Sequence, residues 1–389
     1  MTAWTLVALV ASAEEGDPMQ EAPVVAGVRY RPGKGLVVES EDGRFSLTSR
    51  WRVQLRYELE VPGGGDPAEQ ALQLRRARWT WTGHFFGEDN RFKLDLNLAP
   101  QDVKLDAEGI HAGPLRDAYL RFTQLDDLQL SVGQMKIPFG RQFLDSSGNL
   151  MLVDRSIVHD EFSLDRDLGL QLSSDDLGDA GLVSYALGLF GGEGPYTYEL
   201  SDLALLWCAR VSITPFGPFA EYSESDQARS ETPKLAVGAA VAWLDEAKRD
   251  KGIAGSLPSD GGTTDTRNAT ADVAFRYQGV SVDAAFHWRD GDRTPGDLGP
   301  VAPPRDGVGA MAQAGWLLPG LPLEPSLQAA TVRPSHPRSA LAPEDDVGLG
   351  LSWYFAEHAY KLQGDVFRAT TPGAHDPDVR ARVQLQASI

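Results

Sequence analysis

Between Phe45 and Leu59 the side chains alternate in kind: Phe45, Leu47, Trp51, Val53, Leu55, Tyr57 and Leu59 share one parity with Ser49, and Ser46, Thr48, Arg50, Arg52, Gln54, Arg56 and Glu58 occupy the other. A period of two predicts a strand with one apolar and one wet face. The stretch is long for a soluble strand, and three arginines on its polar face are unusual there. A tilted membrane strand needs about ten residues, with lipid on one side and a polar lumen on the other.

The same alternation recurs along the chain. Leu72 to Phe86 sets Ala77, Trp79, Trp81 and Phe85 against Arg76, Arg78, Thr80, Thr82 and His84, and Arg75 breaks the parity, which predicts a bulge. Phe92, Leu94, Leu96 and Leu98 alternate with Arg91, Lys93, Asp95 and Asn97. Further segments follow at 117–122, 128–133, 168–172, 183–189, 203–213, 216–222, 235–243, 271–277, 280–288, 310–318, 323–331, 347–355, 360–366 and 379–389. That makes about sixteen or seventeen candidates, and single-chain bacterial barrels prefer even numbers. The expected fold is all-β, a transmembrane antiparallel β-barrel of sixteen strands. Short connectors such as Gln278-Gly279 alternate with long polar ones at 245–268 and 290–307, as short periplasmic turns alternate with long outer loops. Aromatics near strand ends, including Phe85, Phe86, Trp316, Trp353, Tyr354 and Phe355, suit interfacial girdles. Soluble sandwiches and solenoids remain alternatives at this level.

Composition changes the picture little. The chain has 389 residues, a mean hydropathy of -0.27 and 23% charged residues, so one large barrel is compatible with its length. A net charge of -19 disfavours nucleic-acid partners. Its acidity includes Glu58, Asp95, Asp117, Asp272 and Asp365 on lumen parity, while 221–226 and 245–250 are expected in outer loops that would repel anions. The single cysteine, Cys208, reads as a small buried residue. Trp4 to Val10 followed by Ala11-Ser12-Ala13 predicts an export signal over 1–13, although no Lys or Arg precedes Arg29. Residues 14–41 read as an N-terminal leader and 42–389 as the barrel, with an irregular stretch near 138–165 long enough to fold inward. Nothing in the sequence marks an enzyme, a cofactor or a metal site: nucleotide, zinc and redox motifs are missing, the seven histidines are dispersed, and Asp290 to Thr294 lacks the distal ligands of a calcium loop.

The ordered blocks Asp42-Gly43-Arg44-Phe45-Ser46-Leu47, Leu74-Arg75-Arg76-Ala77-Arg78, Leu115-Arg116-Asp117-Ala118-Tyr119-Leu120, Val132-Gly133-Gln134-Met135-Lys136-Ile137-Pro138-Phe139-Gly140, Asp154-Arg155-Ser156 and Asp165-Arg166-Asp167-Leu168-Gly169-Leu170 resemble the phosphate-selective porin O and P family. Across 40–389 the resemblance implies a homotrimeric outer-membrane barrel that passes small anions such as phosphate through a water-filled pore. The family's basic lumen wall maps by parity onto Arg50, Arg52, Arg56, Arg76, Arg78, Arg91 and Lys93. Lys136, Arg141, Arg155 and Arg166 flank the irregular stretch and are assigned to the constriction. Guanidinium groups suit the task because they stay charged and can hand an oxyanion along without trapping it. The alternatives are a non-selective or cation-tolerant porin and a secreted soluble β-rich binding protein. The last residue, Ile389, departs from the aromatic with which outer-membrane barrels commonly end.

Overall fold

A strand of period two must put its polar side chains on one side, and a closed wall decides which side that is. In the computed structural model, which describes residues 25–31, 33–100, 105–106, 109–110, 114–195, 205–373 and 376–389, the polar set faces inward. Arg52, Gln54 and Arg56 are buried, whereas Trp51, Val53, Leu55 and Tyr57 are each more than a third exposed. The far side of the molecule repeats this, with Asp346 and Ser352 buried and Val347, Leu349, Leu351 and Trp353 exposed. Apolar outside and polar inside is the inverse of a globular β-protein and the arrangement of a wall set in lipid.

Sixteen strands form the wall. In chain order they are β1 (Ser46–Val61), β2 (Glu69–His84), β3 (Asn90–Asn97), β4 (Leu115–Phe122), β5 (Gln129–Lys136), β6 (Arg166–Ser174), β7 (Val183–Phe190) and β8 (Leu206–Ile213). They continue as β9 (Lys234–Ala247), β10 (Thr263–Tyr277), β11 (Val280–Thr294), β12 (Gly307–Trp316), β13 (Leu323–Pro334), β14 (Glu344–Ala356), β15 (Tyr360–Thr370) and β16 (Asp378–Ser388). Each pairs antiparallel with the next, and β16 returns onto β1 from Val379 opposite Val61 to Ser388 opposite Arg52, so the sheet closes and leaves no open edge. Where β16 runs out, an N-terminal hairpin of Val25–Arg31 and Gly35–Ser40 takes over the same edge of β1, with Leu36 opposite Ser49 and Glu39 opposite Ser46. The described part of the expected leader is therefore sheet. The export signal expected over 1–13 lies outside the described residues.

Three further differences from the sequence expectation are physical. The segment 216–222 is irregular, not a strand: Pro215 and Pro218 remove ladder donors and Gly217 sits at φ 83. Residues 221–226, expected in an outer loop, lie at the short-turn end and turn into the barrel, where Glu224, Ser225 and Asp226 are buried. Finally, β9, β10 and β11 extend into stretches expected to be loop, because Asp265, Arg267, Asp290 and Asp292 continue the ladder with polar residues beyond the apolar band. The bulge expected at Arg75 is present: Gln54 pairs with Arg76 and Leu55 with Leu74.

Exposed aromatics mark two levels on the outer wall. Trp207, Trp243 and Trp288 lie toward the long-loop end, and Trp51, Trp316, Trp353, Phe355 and Tyr360 toward the short-turn end. Neighbouring rings pack together, as in Trp51 and Trp79 at 4.3 Å between centroids. An amphipathic ring suits each boundary between hydrocarbon and water.

Candidate functional site: the lumen and its constriction

The lumen is divided by residues 137–165, which leave β5 at Pro138 and re-enter β6 through Asp165 at φ 48. Two short helices lie within this loop, α1 (Arg141–Leu144) and α2 (Ile157–Phe162), the latter started by Ser156, whose side chain accepts from the His159 N–H. Burial explains why the segment folds inward. Ile137, Phe139 and Leu164 pack on Phe190, Leu206 and Cys208 of the inner wall. Val158 and Phe162 pack on Met311, Ala330 and Val332, and Met151 and Leu152 meet Phe367. Cys208 is thus the small buried residue expected, its thiol 3.4 Å from the Pro138 carbonyl.

Polar side chains of the wall then satisfy the backbone of the loop tip. Lys361 Nζ donates to the Leu150 carbonyl at 2.7 Å, Gln363 Nε2 to that of Met151 at 3.1 Å and Gln386 Nε2 to that of Gly148 at 3.0 Å. The Val153 N–H donates to Asp365 Oδ2 at 3.0 Å. These pins escape sequence reasoning: single lysines and glutamines on lumen parity carry no mark of a partner two hundred residues away.

A second segment, 214–233, enters from the short-turn end and meets the first. The Glu224 N–H donates to the Asn149 carbonyl at 3.1 Å, and the Met151 N–H donates to Glu224 Oε2 at 2.9 Å. Arg141 reaches Glu221 Oε2 at 3.1 Å, and Arg276 Nη2 donates to the Ser223 carbonyl at 2.6 Å. Burial and then the neighbouring Glu224 push the Asp145 carboxyl well above its ordinary range; burial and then Asp283 raise Glu224. Buried carboxyls in a dry setting resist carrying charge.

The basic residues singled out from the sequence divide into three groups. Lys136, Arg141 and Arg166 are held in structural bonds. Lys136 Nζ donates to the carbonyls of Phe143 and Leu144 at 2.6 and 2.8 Å. Arg141 Nε meets Asp272 Oδ1 at 2.6 Å, and Arg166 Nε meets Asp117 Oδ1 at 2.6 Å. Arg155 is tied to the carbonyls of Gln142 and Asp145 at 2.6 and 2.8 Å, and burial followed by Arg76 lowers its pKa to about 10.

The second group surrounds a chamber of about 460 Å³ toward the long-loop end, where Arg56 and Arg155, joined by Arg75, Arg380 and Arg382, which were not among the site residues expected from the sequence, face Glu58, Asp154 and Asp160. Within it Asp154 is shared by Arg56 at 2.8 Å, Arg76 at 3.1 Å and Arg75 at 3.4 Å. Burial pushes its carboxyl up, but Arg76, Arg56 and Arg75 outweigh that and hold it well below the usual carboxylate range. The bulge is what lets consecutive residues 75 and 76 serve one carboxylate.

The third group lies between that chamber and the short-turn end. Arg52 and Arg78 stand directly opposite each other on β1 and β2, and among the described residues their side chains bond only to hydroxyls: Arg52 to Ser146 at 2.9 Å and Ser147 at 3.1 Å, Arg78 to Ser147 at 2.8 Å. Among the described residues neither has a carboxylate within salt-bridge distance, and the Nε of each is buried without a partner. Arg50 is half-buried one pair further toward the turn end, opposite Thr80. Arg116, not singled out from the sequence, comes no nearer than 3.9 Å to Asp95. Beyond them Lys93, Arg91, Arg121 and His84 line a second opening of about 480 Å³; there Lys93 meets Asp117 at 2.7 Å and Arg91 is exposed. A larger concavity, about 880 Å³ between Leu170, Leu187, Trp207 and Trp243, is on the outer wall and takes no part in this route.

A closed sixteen-stranded barrel with an inverted surface and an inward constriction defines a porin of the bacterial outer membrane. Residues 47–185 match the family described as phosphate-selective porin O and P. Solved structures share the fold. An anion-selective porin from Comamonas acidovorans is 12% identical, with 89% of this chain and 100% of that one covered and a TM-score of 0.58. OmpF of Salmonella typhi, in complex with daunomycin, is 12% identical over 90% and 100% with a TM-score of 0.59. The outer membrane channel DcaP of Acinetobacter baumannii is 12% identical over 90% and 99% with a TM-score of 0.55. No curated protein matches this chain.

Proposed function

We propose that this porin is a passive, anion-preferring channel whose permeant class includes phosphate-like oxyanions, and that it has no catalytic activity. The observation that carries the reading is the Arg52 and Arg78 pair, two buried like charges directly opposed and, among the described residues, bonded only to serines. Like charges across a strand pair destabilise a sheet, so a pair with no carboxylate of the described residues in salt-bridge distance favours an anion beside it. The pair lies between two openings rich in arginine and lysine, which gives an entering anion successive moderate sites instead of one deep trap. The family description and the anion-selective neighbour point the same way. In this reading Arg50, Arg52, Arg56, Arg76, Arg78, Arg91 and Lys93 line the pathway, while Arg155 faces it from the constriction; Lys136, Arg141 and Arg166 hold the constriction in shape. Reversal potentials of the purified protein in planar bilayers across a potassium chloride gradient test it: an anion-side potential is expected, and a cation-side potential would overturn the reading.

A cation-tolerant pore is the second reading, favoured by the acids Asp95, Asp117, Asp154 and Asp365 on the same wall. The same measurement separates the two. Export through residues 1–13 and assembly as a homotrimer complete the proposal; sequencing of the mature N-terminus is expected to begin at Glu14, and sedimentation in detergent to give three copies.

A further inference from the structure

We propose that Asp154 is a tethered counter-ion of the long-loop chamber, and that permeant anions pass by taking over its guanidinium partners. The inference rests on the anion-channel reading and adds to it the residue that sets how strongly the chamber draws anions.

One carboxylate stands here among three guanidiniums, with Oδ2 at 2.8 Å from Arg56 and 3.4 Å from Arg75 and Oδ1 at 3.1 Å from Arg76. Glu58 also approaches Arg56, its Oε2 3.9 Å from Nη1, yet two carboxylates cannot neutralise three guanidiniums, so the cluster keeps an excess that an oxyanion in the chamber can meet. Of the other chamber arginines, Arg382 is matched with Asp365 at 2.8 Å and Arg380 with Asp346 at 3.1 Å, while Arg155 is tied to the carbonyls of Gln142 and Asp145. The Asp154 side chain is 17% exposed, so its partners lie at the chamber surface and not in a sealed core. A carboxylate presents two oxygens to planar guanidinium forks much as a phosphate presents two of its own, which makes exchange between them geometrically simple.

A purely structural clamp is the competing role, and the neighbouring bonds argue against its necessity. The loop tip is held independently by Gln363 on the carbonyls of Leu150, Met151 and Leu152, by Asp365 on the Val153 N–H, and by Gln386 on the Gly148 carbonyl. Removing the charge at 154 leaves those pins in place.

The test compares the wild-type channel with Asp154→Asn and Arg75→Gln in planar bilayers, measuring reversal potentials in a potassium chloride gradient and conductance against inorganic phosphate concentration. Field focusing in a narrow basic site predicts that Asp154→Asn raises the anion-to-cation permeability ratio by about threefold or more and lowers the half-saturating phosphate concentration comparably. Arg75→Gln is expected to shift both in the opposite direction. A clamp predicts that both variants disturb gating alike, without opposite shifts in selectivity. If the wild type reverses on the anion side and the two variants do not diverge from it in opposite directions, the tethered counter-ion is refuted while the channel reading stands. A cation-side reversal of the wild type refutes the channel reading itself. Should Asp154→Asn fail to fold, Arg75→Gln decides the matter alone, since an unchanged ratio in that variant overturns the inference.

Discussion

Arg52 and Arg78 are placed by β-strand arithmetic: each lies on the lumen parity of its strand, and the register of β1 with β2 sets them face to face. Their hydrogen bonds to Ser146 and Ser147 orient the guanidinium groups without cancelling their charge. Arg91, by contrast, is exposed at the short-turn mouth, where solution ions screen it over a Debye length of about 8 Å. Arg78→Ala is therefore expected to lower the anion-to-cation permeability ratio by roughly threefold, and Arg91→Ala by clearly less, because a buried charge is screened less than one in open water. Reversal potentials at two ionic strengths check this, and the Arg91 effect should shrink further at the higher one. Equal losses in the two variants would mean that the narrow region does not set selectivity.

At the scale of elements, two inward segments meet in the lumen, and two features of their contact can be tested separately. The Phe143 ring gathers three cations of the constriction, with Lys136 and Arg166 at 5.1 Å and Arg155 at 6.0 Å from its centroid, and stacks on His159 at 5.6 Å. Phe143→Ala removes that hub and its buried area, a loss of about 3 kcal/mol or more in the anchoring of residues 137–165; faster proteolytic nicking within that stretch is expected. The second feature is the presence of two buried acids, Asp145 on the first segment and Glu224 on the second. Both acids are raised above their ordinary values, Asp145 through burial and then Glu224 and Asp283, and Glu224 through burial and then Asp283, with Arg141 and Arg276 facing Asp145 and Arg155 facing Glu224. An acid whose folded pKa lies above its unfolded one contributes stability at low pH that is lost as pH rises through the folded value. The two segments should thus hold together more firmly in acid and loosen toward alkaline pH, read as a rising frequency of current fluctuations, and Glu224→Gln should flatten that dependence. A dependence of the same size in the variant would assign it to other groups.

For the whole molecule, the wall was legible in the sequence and the contents of the lumen mostly were not. Alternation specifies a strand by itself, so β1 to β16 and even the bulge at Arg75 follow from local pattern. The contents of the lumen depend on contacts that period cannot encode: Asp154 reads as one more loop acid until the fold brings Arg56, Arg75 and Arg76 to it. Residues 216–222 show the opposite failure, since Phe216 and Phe219 imitate a strand that Pro215, Gly217 and Pro218 could already have argued against. The inverted wall also has an energetic consequence that separates its two faces. Leu349 sits midway along β14 on the outer face, 67% exposed to what the fold assigns to lipid, while Gln328 of the neighbouring β13 is buried against Gln313 in the lumen. An arginine on the lipid face near the bilayer midplane costs roughly 2 to 4 kcal/mol. Leu349→Arg should destabilise the barrel by about that amount in reversible urea unfolding from lipid vesicles, with a lowered midpoint and an unchanged slope. In water that outward face would instead gain from the substitution, so a stabilised Leu349→Arg variant would turn the wall outside in and reinstate a soluble β-protein.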